Sequence, residues 1–188
     1  GSRNIHFSGQ YMIASRHPMQ DCREGDISFP GEEHHYTRCT ITAHGVAIDV
    51  VTAHLLSPRE GLNATRYERL SGLAEWQQNY AMRFIQARKL AGDLTGNPRP
   101  MILAGDLNAP DSSPVIEALR EIGLRDSFAT AGLGYGYTYG HSLRTRFSFL
   151  RIDHVMVSPQ IGVKESVVGG SEASAHRPVI ADLWLKRD

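Results

Sequence analysis

A short apolar run at residues 101–104 (MILA), followed at once by Gly105-Asp106-Leu107-Asn108, is the feature that most constrains the fold. A continuous apolar run of this length is typical of a strand buried on both faces. The run therefore predicts an interior strand whose carboxyl end carries two polar side chains, Asp106 and Asn108.

Helical patterns flank this strand on both sides. Upstream, Thr65 and Glu68 form a capping-box pattern, and apolar spacing of a helix continues until Gly96-Asn97-Pro98 stops it. Downstream, Ser113-Pro114 predicts the N-cap and first turn of a second helix that ends at Gly123. The helical positions of the upstream segment are Leu70, Leu73, Gln77, Tyr80 or Ala81, Phe84 and Ala91.

Several further runs have the composition of strands. Residues 36–54 are two β-rich runs separated by a turn near Gly45, which predicts a hairpin with His54 at its end. Residues 20–34 are polar and are predicted to form a loop, and the Gly- and Tyr-rich residues 132–140 a second, irregular one. The remaining predicted strands are residues 11–15, 152–157, 161–168 and 179–185, the last of them mostly buried.

Strands outnumber helices, and the two predicted helices are separated by one strand. This pattern favours an α/β layered sandwich over a helical bundle or an all-β barrel. With 188 residues and 41% apolar content, the chain is long enough for one domain with a substantial core and short for two. We therefore expect residues 1–188 to form a single domain.

The charge balance limits the partners that the chain can attract at long range. Lys+Arg and Asp+Glu both number 20, so the formal net charge is zero and no global field attracts a polyanion such as long nucleic acid. Any phosphate binding must therefore be local. Most of the basic residues are arginines, whose planar fork suits bidentate phosphate contacts, although a preference for arginine codons explains this equally well.

Compartment and processing are weakly constrained by the sequence. Cys22 and Cys39 allow one disulfide at most, and ordinary buried thiols are expected. No stretch approaches the roughly 18 consecutive apolar residues of a membrane span, and the N-terminus has no apolar signal core. Gly1-Ser2 resembles a scar left by tag removal, so we expect the native start, and any targeting or membrane segment, to lie upstream.

Polar, titratable residues recur at predicted strand ends, and this recurrence is the functional signal. His54 ends one strand, Asp106 and Asn108 follow another, Asp153 opens a third, and His176 precedes a fourth. Polar side chains gathered at the edge of apolar strands are how a sheet builds a site. Taken singly, each has a structural explanation as a turn residue, a cap or an ion-pair partner.

Taken together, these residues resemble the endonuclease/exonuclease/phosphatase superfamily. The segments that carry the resemblance, in family order, are Thr52-Ala53-His54-Leu55, Gly105-Asp106-Leu107-Asn108, Arg151-Ile152-Asp153-His154 and Ser174-Ala175-His176-Arg177-Pro178. It extends from about Ile13 to Leu185. The resemblance implies a DNase I-like, two-sheet α/β/β/α layered sandwich and a metal-dependent phosphoester hydrolase, of phosphodiesterase or nuclease type.

The resemblance also implies a role for each residue. His176 and Asp153 would form a dyad that activates water, and Asp106 would transfer a proton or contact a metal. Asn108 would hold a phosphate oxygen and contribute to the metal side, and His54 would donate to the scissile phosphate. The implied metal is Mg²⁺ or Mn²⁺. Arg177 and Arg151 are close in sequence to the site residues His176 and Asp153 and could assist at the phosphate. Arg177 is the one assigned to phosphate binding, although surface ion pairs are an equal alternative.

Two departures from the family pattern bear on activity. The family carries a metal-binding Asn and Glu on early strands, and no counterpart precedes Tyr11, so the front of the domain is expected to be missing. Ala175 stands where most of the family has Asp, which removes one negative ligand and should weaken a hard cation. The cluster Glu32-Glu33-His34-His35 is predicted to be a solvated loop, because its spacing fits no established metal-ligand pattern.

Three functions remain open from the sequence. The first is a hydrolase whose phosphoester substrate is a nucleic acid, a nucleotide or a lipid headgroup, with neutral charge arguing against avid duplex binding. The second is a binding module that keeps the fold without catalysis, although the retained Asp106, Asn108, Asp153 and His176 argue against it. The third is a membrane-anchored or exported enzyme. Missing strands would also expose sheet edges, which predicts self-association or a complementing chain.

Overall fold

A computed structural model describes residues 4–58, 70–141, 147–171 and 174–186. The strands are β1 (Asn4–Ser8), β2 (Tyr11–Ser15), β3 (Met19–Asp26), β4 (His35–Ala43), β5 (Val46–Thr52), β6 (Met101–Asp106), β7 (Arg125–Asp126), β8 (Asp153–Val157), β9 (Ile161–Val168) and β10 (Val179–Leu185). The helices are α1 (Leu70–Leu94), α2 (Pro114–Arg120) and α3 (Ser127–Ala131). The predicted mixed α/β fold class is confirmed.

The centre of the fold is a six-stranded sheet in the order β3-β4-β5-β6-β8-β7. Strands β5 and β6 are parallel, as expected for strands joined through a helix, and the other neighbours are antiparallel. The register places Asp106 at the end of β6 directly opposite Asp153 at the start of β8. The end of β5 meets the same edge of the sheet, because Thr52 is in register with Ala104 of β6, so three neighbouring strands bring their ends to one place.

Helix α1 covers one face of this sheet and supplies much of the core. Its inward side chains pack with those of β5, β6 and β8. The buried members include Ala87, Leu90, Ala91 and Leu94 from the helix and Val51, Leu103 and Met156 from the sheet. The predicted capping box at Thr65 and Glu68 lies outside the described residues. Among the described helices, none is long and apolar enough to cross a membrane.

Ser113 caps helix α2 as predicted, because its side chain accepts the backbone N–H of Ile116. The helix ends at Arg120, and Gly123 follows with a φ of 88°. The predicted hairpin is also confirmed, since β4 and β5 pair in antiparallel fashion around the turn at His44 and Gly45.

Two separate two-stranded ribbons, β1-β2 and β9-β10, complete the structure. The first contacts β4 and β5, and the second contacts β8 and α3. Strand β10 was predicted to be mostly buried, and this prediction is wrong: Ile180 and Trp184 are 55% and 52% exposed. Its apolar composition does not decide burial, because only one face of the ribbon meets the rest of the protein.

The segment at residues 20–34 was predicted to be a loop, but its first part is strand β3. This strand pairs with β4 at the edge of the sheet, where polar, exposed side chains are usual and no apolar alternation is needed. The expectation of free thiols is also wrong, since Cys22 of β3 and Cys39 of β4 form a disulfide. The two cysteines become neighbours only through this strand pairing.

Candidate functional site

The predicted site residues converge at the shared edge of the central sheet. His54 follows β5, Asp106 ends β6, Asp153 opens β8, and His176 precedes β10. Asp106, Asp153 and His176 line one cleft of about 580 Å³. Asp106 and His176, which are 70 positions apart in the chain, therefore lie within 4 Å of each other at this edge.

His176 and Asp153 form a carboxylate–imidazole dyad. The His176 Nδ1 lies 2.8 Å from the Asp153 Oδ2, so the ring donates from Nδ1, and its Nε2 has no hydrogen-bond partner among the described residues. The Thr138 hydroxyl accepts the backbone N–H of Asp153 at 3.3 Å, and the Tyr139 ring packs 4.7 Å from the His176 ring. These contacts hold both members of the dyad from the segment that precedes β8.

Asp106 lies between the two histidines. Its Oδ2 is 3.7 Å from the His54 Nε2 and 3.9 Å from the His176 Nδ1, and its Oδ1 accepts the backbone N–H of Asn108 at 2.9 Å. Burial and the neighbouring charge of Asp153 raise the pKa of Asp106 above its ordinary value. Two adjacent carboxylates of this kind repel each other, and a cation placed between them would relieve the repulsion.

His54 is oriented by two residues from the β1-β2 turn that the sequence did not indicate. The Tyr11 hydroxyl accepts the His54 backbone N–H at 3.2 Å and donates to the His35 carbonyl at 2.8 Å. The His54 Nδ1 donates to the Gln10 Oε1 at 2.8 Å, which leaves Nε2 directed to Asp106. The turn between two apolar strands therefore supports one side of the site.

Asn108 has a left-handed backbone, with a φ of 49°, and is only 6% exposed. Its side-chain amide donates to the Leu55 carbonyl at 2.9 Å, which ties the turn after β6 to the segment after His54. Gly105 permits this close approach, because a Cβ there would lie 2.0 Å from the Ala53 carbonyl oxygen. The turn at residues 105–108 thus packs closely against the segment that contains Ala53 and Leu55, in addition to carrying the polar side chains of Asp106 and Asn108.

Arg151 and Arg177, which are close in sequence to the site residues, make their contacts elsewhere. The Arg177 Nε donates to the Gly169 carbonyl at 2.7 Å, and Arg151 forms ion pairs with Asp111 at 2.7 Å and Asp126 at 2.8 Å. The structure therefore does not bring either guanidinium onto the dyad. Ala175 is exposed beside His176 and adds no ligand atom.

The Glu32-Glu33-His34-His35 segment leads from a loop into β4. His34 lies 3.0 Å from Glu32 and stacks on Phe29, while His35 is 3.8 Å from Glu24. Within the described ranges, this segment contributes to none of the side-chain groups close enough to share a metal ion.

Asp106, Asp153 and His176 form one of those groups, with ligand atoms within 4.8 Å of one another. Carboxylate oxygens are the ligands that hard divalent cations prefer. The pKa of Asp106 is raised first by burial and then by the charge of Asp153, and a cation beside the two carboxylates would neutralise that charge. The residues present therefore fit a divalent metal. A second group, Asp111, Asp126 and His154, has its atoms committed to Arg120, Arg151 and one another.

A polar stripe on α1 was missed by the sequence analysis. Asn79, Arg83 and Gln86 are 8%, 6% and 0% exposed and contact the segments that follow His54 and Asp106. The available signal was their spacing at i, i+4 and i+7 on the side of the helix that also carries the buried apolar residues.

Comparison with known proteins places this fold in one class. Residues 4–176 match the model of the endonuclease/exonuclease/phosphatase family. The chain belongs to this family, whose members are generally phosphoester hydrolases that use divalent metals. No functionally curated protein matches the chain at a significant level.

Solved structures share the fold at low sequence identity. An endonuclease/exonuclease/phosphatase family protein from Leptotrichia buccalis C-1013-b has a TM-score of 0.70 at 17% identity, covering 98% of this chain and 72% of that one. A humanized D. rerio TDP2 has a TM-score of 0.66 at 16% identity, covering 97% and 75%. The mannosyl-6-phosphatase Bt3783 from Bacteroides thetaiotaomicron VPI-5482 has a TM-score of 0.60 at 19% identity, covering 93% and 70%.

Proposed function

We propose that this protein is a metal-dependent phosphoester hydrolase, of phosphodiesterase or nuclease-like type, that activates water at the His176–Asp153 dyad. The single observation that carries the proposal is the convergence of this dyad with Asp106 in one cleft, with the His54 Nε2 3.7 Å from the Asp106 Oδ2. Family membership supports phosphoester hydrolysis as the reaction class, and the geometry supports the role proposed for each side chain.

The dyad is suited to proton removal from water. Asp153 accepts the Nδ1–H of His176, which leaves the Nε2 lone pair to take a proton and stabilises the imidazolium that results. Tyr139 packs against the ring and limits its rotation. Water attacks phosphorus as its proton moves to His176, and a new phosphorus–oxygen bond forms. The bond from phosphorus to the ester oxygen breaks, and that oxygen leaves with the electron pair and takes up a proton from solvent.

His54 and Asn108 are proposed to stabilise charge on the phosphoryl oxygens. In its imidazolium form His54 donates from Nε2, because Gln10 already accepts from Nδ1. Asn108 uses one amide hydrogen on Leu55 and has a second available for a phosphate oxygen. Asp106, with Asn108 and Asp153 beside it, would hold Mg²⁺ or Mn²⁺, which when bound neutralises phosphoryl charge. We retain Arg177 as a weaker phosphate-binding proposal.

Hydrolysis of bis(p-nitrophenyl) phosphate with and without Mg²⁺ or Mn²⁺ tests this proposal. We expect metal-stimulated activity that is lost in His176→Ala and Asp106→Ala. His17→Ala is the matched control, since His17 is an exposed histidine in the turn between β2 and β3. Equal background rates in all four proteins would leave the alternative, a binding module of the same fold, which the exposed Ala175 favours.

The substrate is proposed as a phosphoester of a nucleic acid, a nucleotide or a lipid headgroup. The named relatives include a mannosyl-6-phosphatase, so a phosphomonoester belongs in the same panel of probes. The zero net charge argues against tight binding to long duplexes, whose affinity depends on the number of phosphates neutralised. Rates on p-nitrophenyl phosphate, a short oligonucleotide and a phospholipid headgroup ester will rank these classes.

Self-association is proposed from the apolar side chains that the two ribbons expose. Ile5, Phe7, Met12, Ile180 and Trp184 are each at least half exposed. We expect a mass that rises with concentration in light scattering coupled to gel filtration. A concentration-independent monomer mass would contradict this proposal.

A further inference from the structure

The inward face of helix α1 changes character along its length. Toward its C-terminal end it is apolar, and nearer the site it carries Asn79, Arg83 and Gln86, all at least nine-tenths buried. Buried Asn, Arg and Gln are uncommon on a core-facing helix, because each must replace its lost hydration with protein contacts. Their contacts therefore indicate what the stripe is for.

Each side chain holds backbone from a segment that carries a site residue. The Asn79 Nδ2 donates to the Ser57 carbonyl at 2.9 Å, and the Gln86 Oε1 accepts the Leu56 N–H at 2.7 Å. The Arg83 Nη1 donates to the Asn108 carbonyl at 2.7 Å. Helix α1 thus forms hydrogen bonds with both the segment after His54 and the turn after Asp106.

The three side chains also leave polar atoms buried and unpaired. The Asn79 Oδ1, Arg83 Nε and Gln86 Nε2 have no hydrogen-bond partner in the described part of the chain. Unpaired buried polar atoms destabilise a fold, and an apolar residue of similar size would avoid that loss. Stability alone therefore does not account for the stripe, whereas fixing the site loops does.

Arg83 is central because it holds the strained element of the site. Arg83 donates to the carbonyl of Asn108, a residue with a left-handed backbone. The backbone N–H of Asn108 donates to Asp106, and its side-chain amide donates to the Leu55 carbonyl. No carboxylate is hydrogen-bonded to Arg83 among residues 4–58, 70–141, 147–171 and 174–186. The guanidinium, whose central carbon lies 5.9 Å from the centre of the Tyr80 ring, is therefore held at the turn by its hydrogen bond to Asn108.

We propose that Asn79, Arg83 and Gln86 are positioning residues that fix the His54 segment and the Asp106–Asn108 turn relative to each other, with Arg83 as the principal member. This inference rests on the proposed hydrolase function for its kinetic consequence. Its structural consequence is independent of any activity, so the two can be tested apart.

The kinetic test compares Arg83→Met and Arg83→Lys with Arg88→Met. Arg88 lies on the same helix, is 56% exposed and pairs only with Glu121 among the described residues. We expect Arg83→Met to lower kcat about a hundredfold with KM within about threefold, because a small displacement of a catalytic group is costly for rate. Arg83→Lys should recover part of kcat, since it can still donate to Asn108, and Arg88→Met should match wild type.

The unfolding transition of every variant is measured by circular dichroism, and all assays are run at a temperature below it. Loss of folded protein is then not mistaken for a lower kcat. A kcat for folded Arg83→Met within about twofold of wild type would overturn the proposal, as would Arg83→Lys being no better than Arg83→Met.

Amide hydrogen exchange followed by NMR supplies the activity-independent test. Gln86→Leu should speed exchange of the Leu56 amide about tenfold or more, and Arg83→Met should do the same for the Asn108 amide. The Leu103 amide, inside the central sheet, and the exposed-site variant Gln78→Leu are the controls. Unchanged exchange at Leu56 and Asn108 overturns the positioning stripe. Altered exchange in a protein that hydrolyses none of the probes supports the stripe and rejects the proposed function.

Discussion

Strand β8 carries two carboxylate–imidazole pairs that are nearly identical in geometry and differ in surroundings. Asp153 pairs with His176 at 2.8 Å, and the next residue, His154, pairs with Asp126 at 2.7 Å. Successive side chains of a strand point to opposite faces, so adjacent residues enter different environments. The first pair is partly exposed, at 20% and 30%, whereas the second is 1% and 0% exposed.

The second nitrogen of each ring decides what the pair can do. The His154 Nε2 lies 2.9 Å from the Ala109 carbonyl, so both ring nitrogens face protein acceptors and none is left for a substrate. The His176 ring lines the cleft and keeps Nε2 for it. Burial with complete hydrogen bonding therefore makes one pair structural, and partial exposure makes the other one available for chemistry.

Removing the exposed imidazole should have the largest effect on function. We expect His176→Ala to lower kcat about a thousandfold, the scale of a lost general base, while unfolding free energy changes by less than about 1 kcal/mol. Steady-state hydrolysis of bis(p-nitrophenyl) phosphate and urea unfolding measure the two quantities. A variant that keeps a tenth of wild-type kcat would remove His176 from the role of base.

Removing the buried imidazole should instead act on stability. His154→Ala leaves the Asp126 carboxylate and the Ala109 carbonyl buried without their partner, which should cost about 3 kcal/mol in urea unfolding. His17→Ala, at an exposed turn, is the control and should be near neutral. A loss of unfolding free energy below about 1 kcal/mol for His154→Ala would contradict a structural role for the buried pair.

The pH dependence of stability should have opposite signs for the two regions. Burial raises the pKa of Asp126, but the hydrogen bond and charge of His154, with Arg151, outweigh it and leave the pKa lowered. Its ionised form thus contributes stability above the unfolded pKa, which is lost as pH falls through the folded value. Asp126→Asn should be less stable than wild type at pH 7, and this deficit should shrink on acidification.

Asp106 should show the reverse, because burial and the Asp153 charge raise its pKa. Its contribution is fully present below the unfolded pKa, about 3.9 for Asp, and is lost as pH rises through the folded value. Asp106→Asn should therefore be more stable than wild type at pH 7, with a smaller difference than the Asp126→Asn deficit. Urea unfolding from pH 3.5 to 8 measures both, and the same sign for the two variants would contradict the assignment.

Metal binding should have a modest effect on stability. Mn²⁺ at about ten times its Kd should raise the unfolding free energy of wild type by about 1–2 kcal/mol. The increase should vanish in Asp106→Asn and persist in Asp111→Asn, since Asp111 belongs to the cluster whose atoms are already paired. If the Mn²⁺-dependent increase in unfolding free energy is lost only in Asp111→Asn, the metal binds at the cluster of Asp111, Asp126 and His154 instead.

Much of the local structure could be predicted because it depends on neighbours in sequence. The apolar run at 101–104, the Ser113 cap and the hairpin around Gly45 follow from periodicity, capping chemistry and turn residues. Strand β3, the Cys22–Cys39 disulfide and the burial of β10 could not, since each depends on which segment lies alongside. The Arg83 contact with Asn108 likewise joins residues separated by 25 positions.

The sequence by itself determined the chemical inventory of the site, the strand ends that carry it and the family to which it points. The family resemblance already paired His176 with Asp153, whereas only the tertiary structure decided that His154 meets Asp126. Asp153 and His154 are consecutive in the sequence, and nothing local distinguishes their roles. Their partners lie 23 and 28 positions away, on different faces of β8. Strand alternation sends one to an open edge and the other into the core, and the resulting difference in burial separates the catalytic proposal from a structural role.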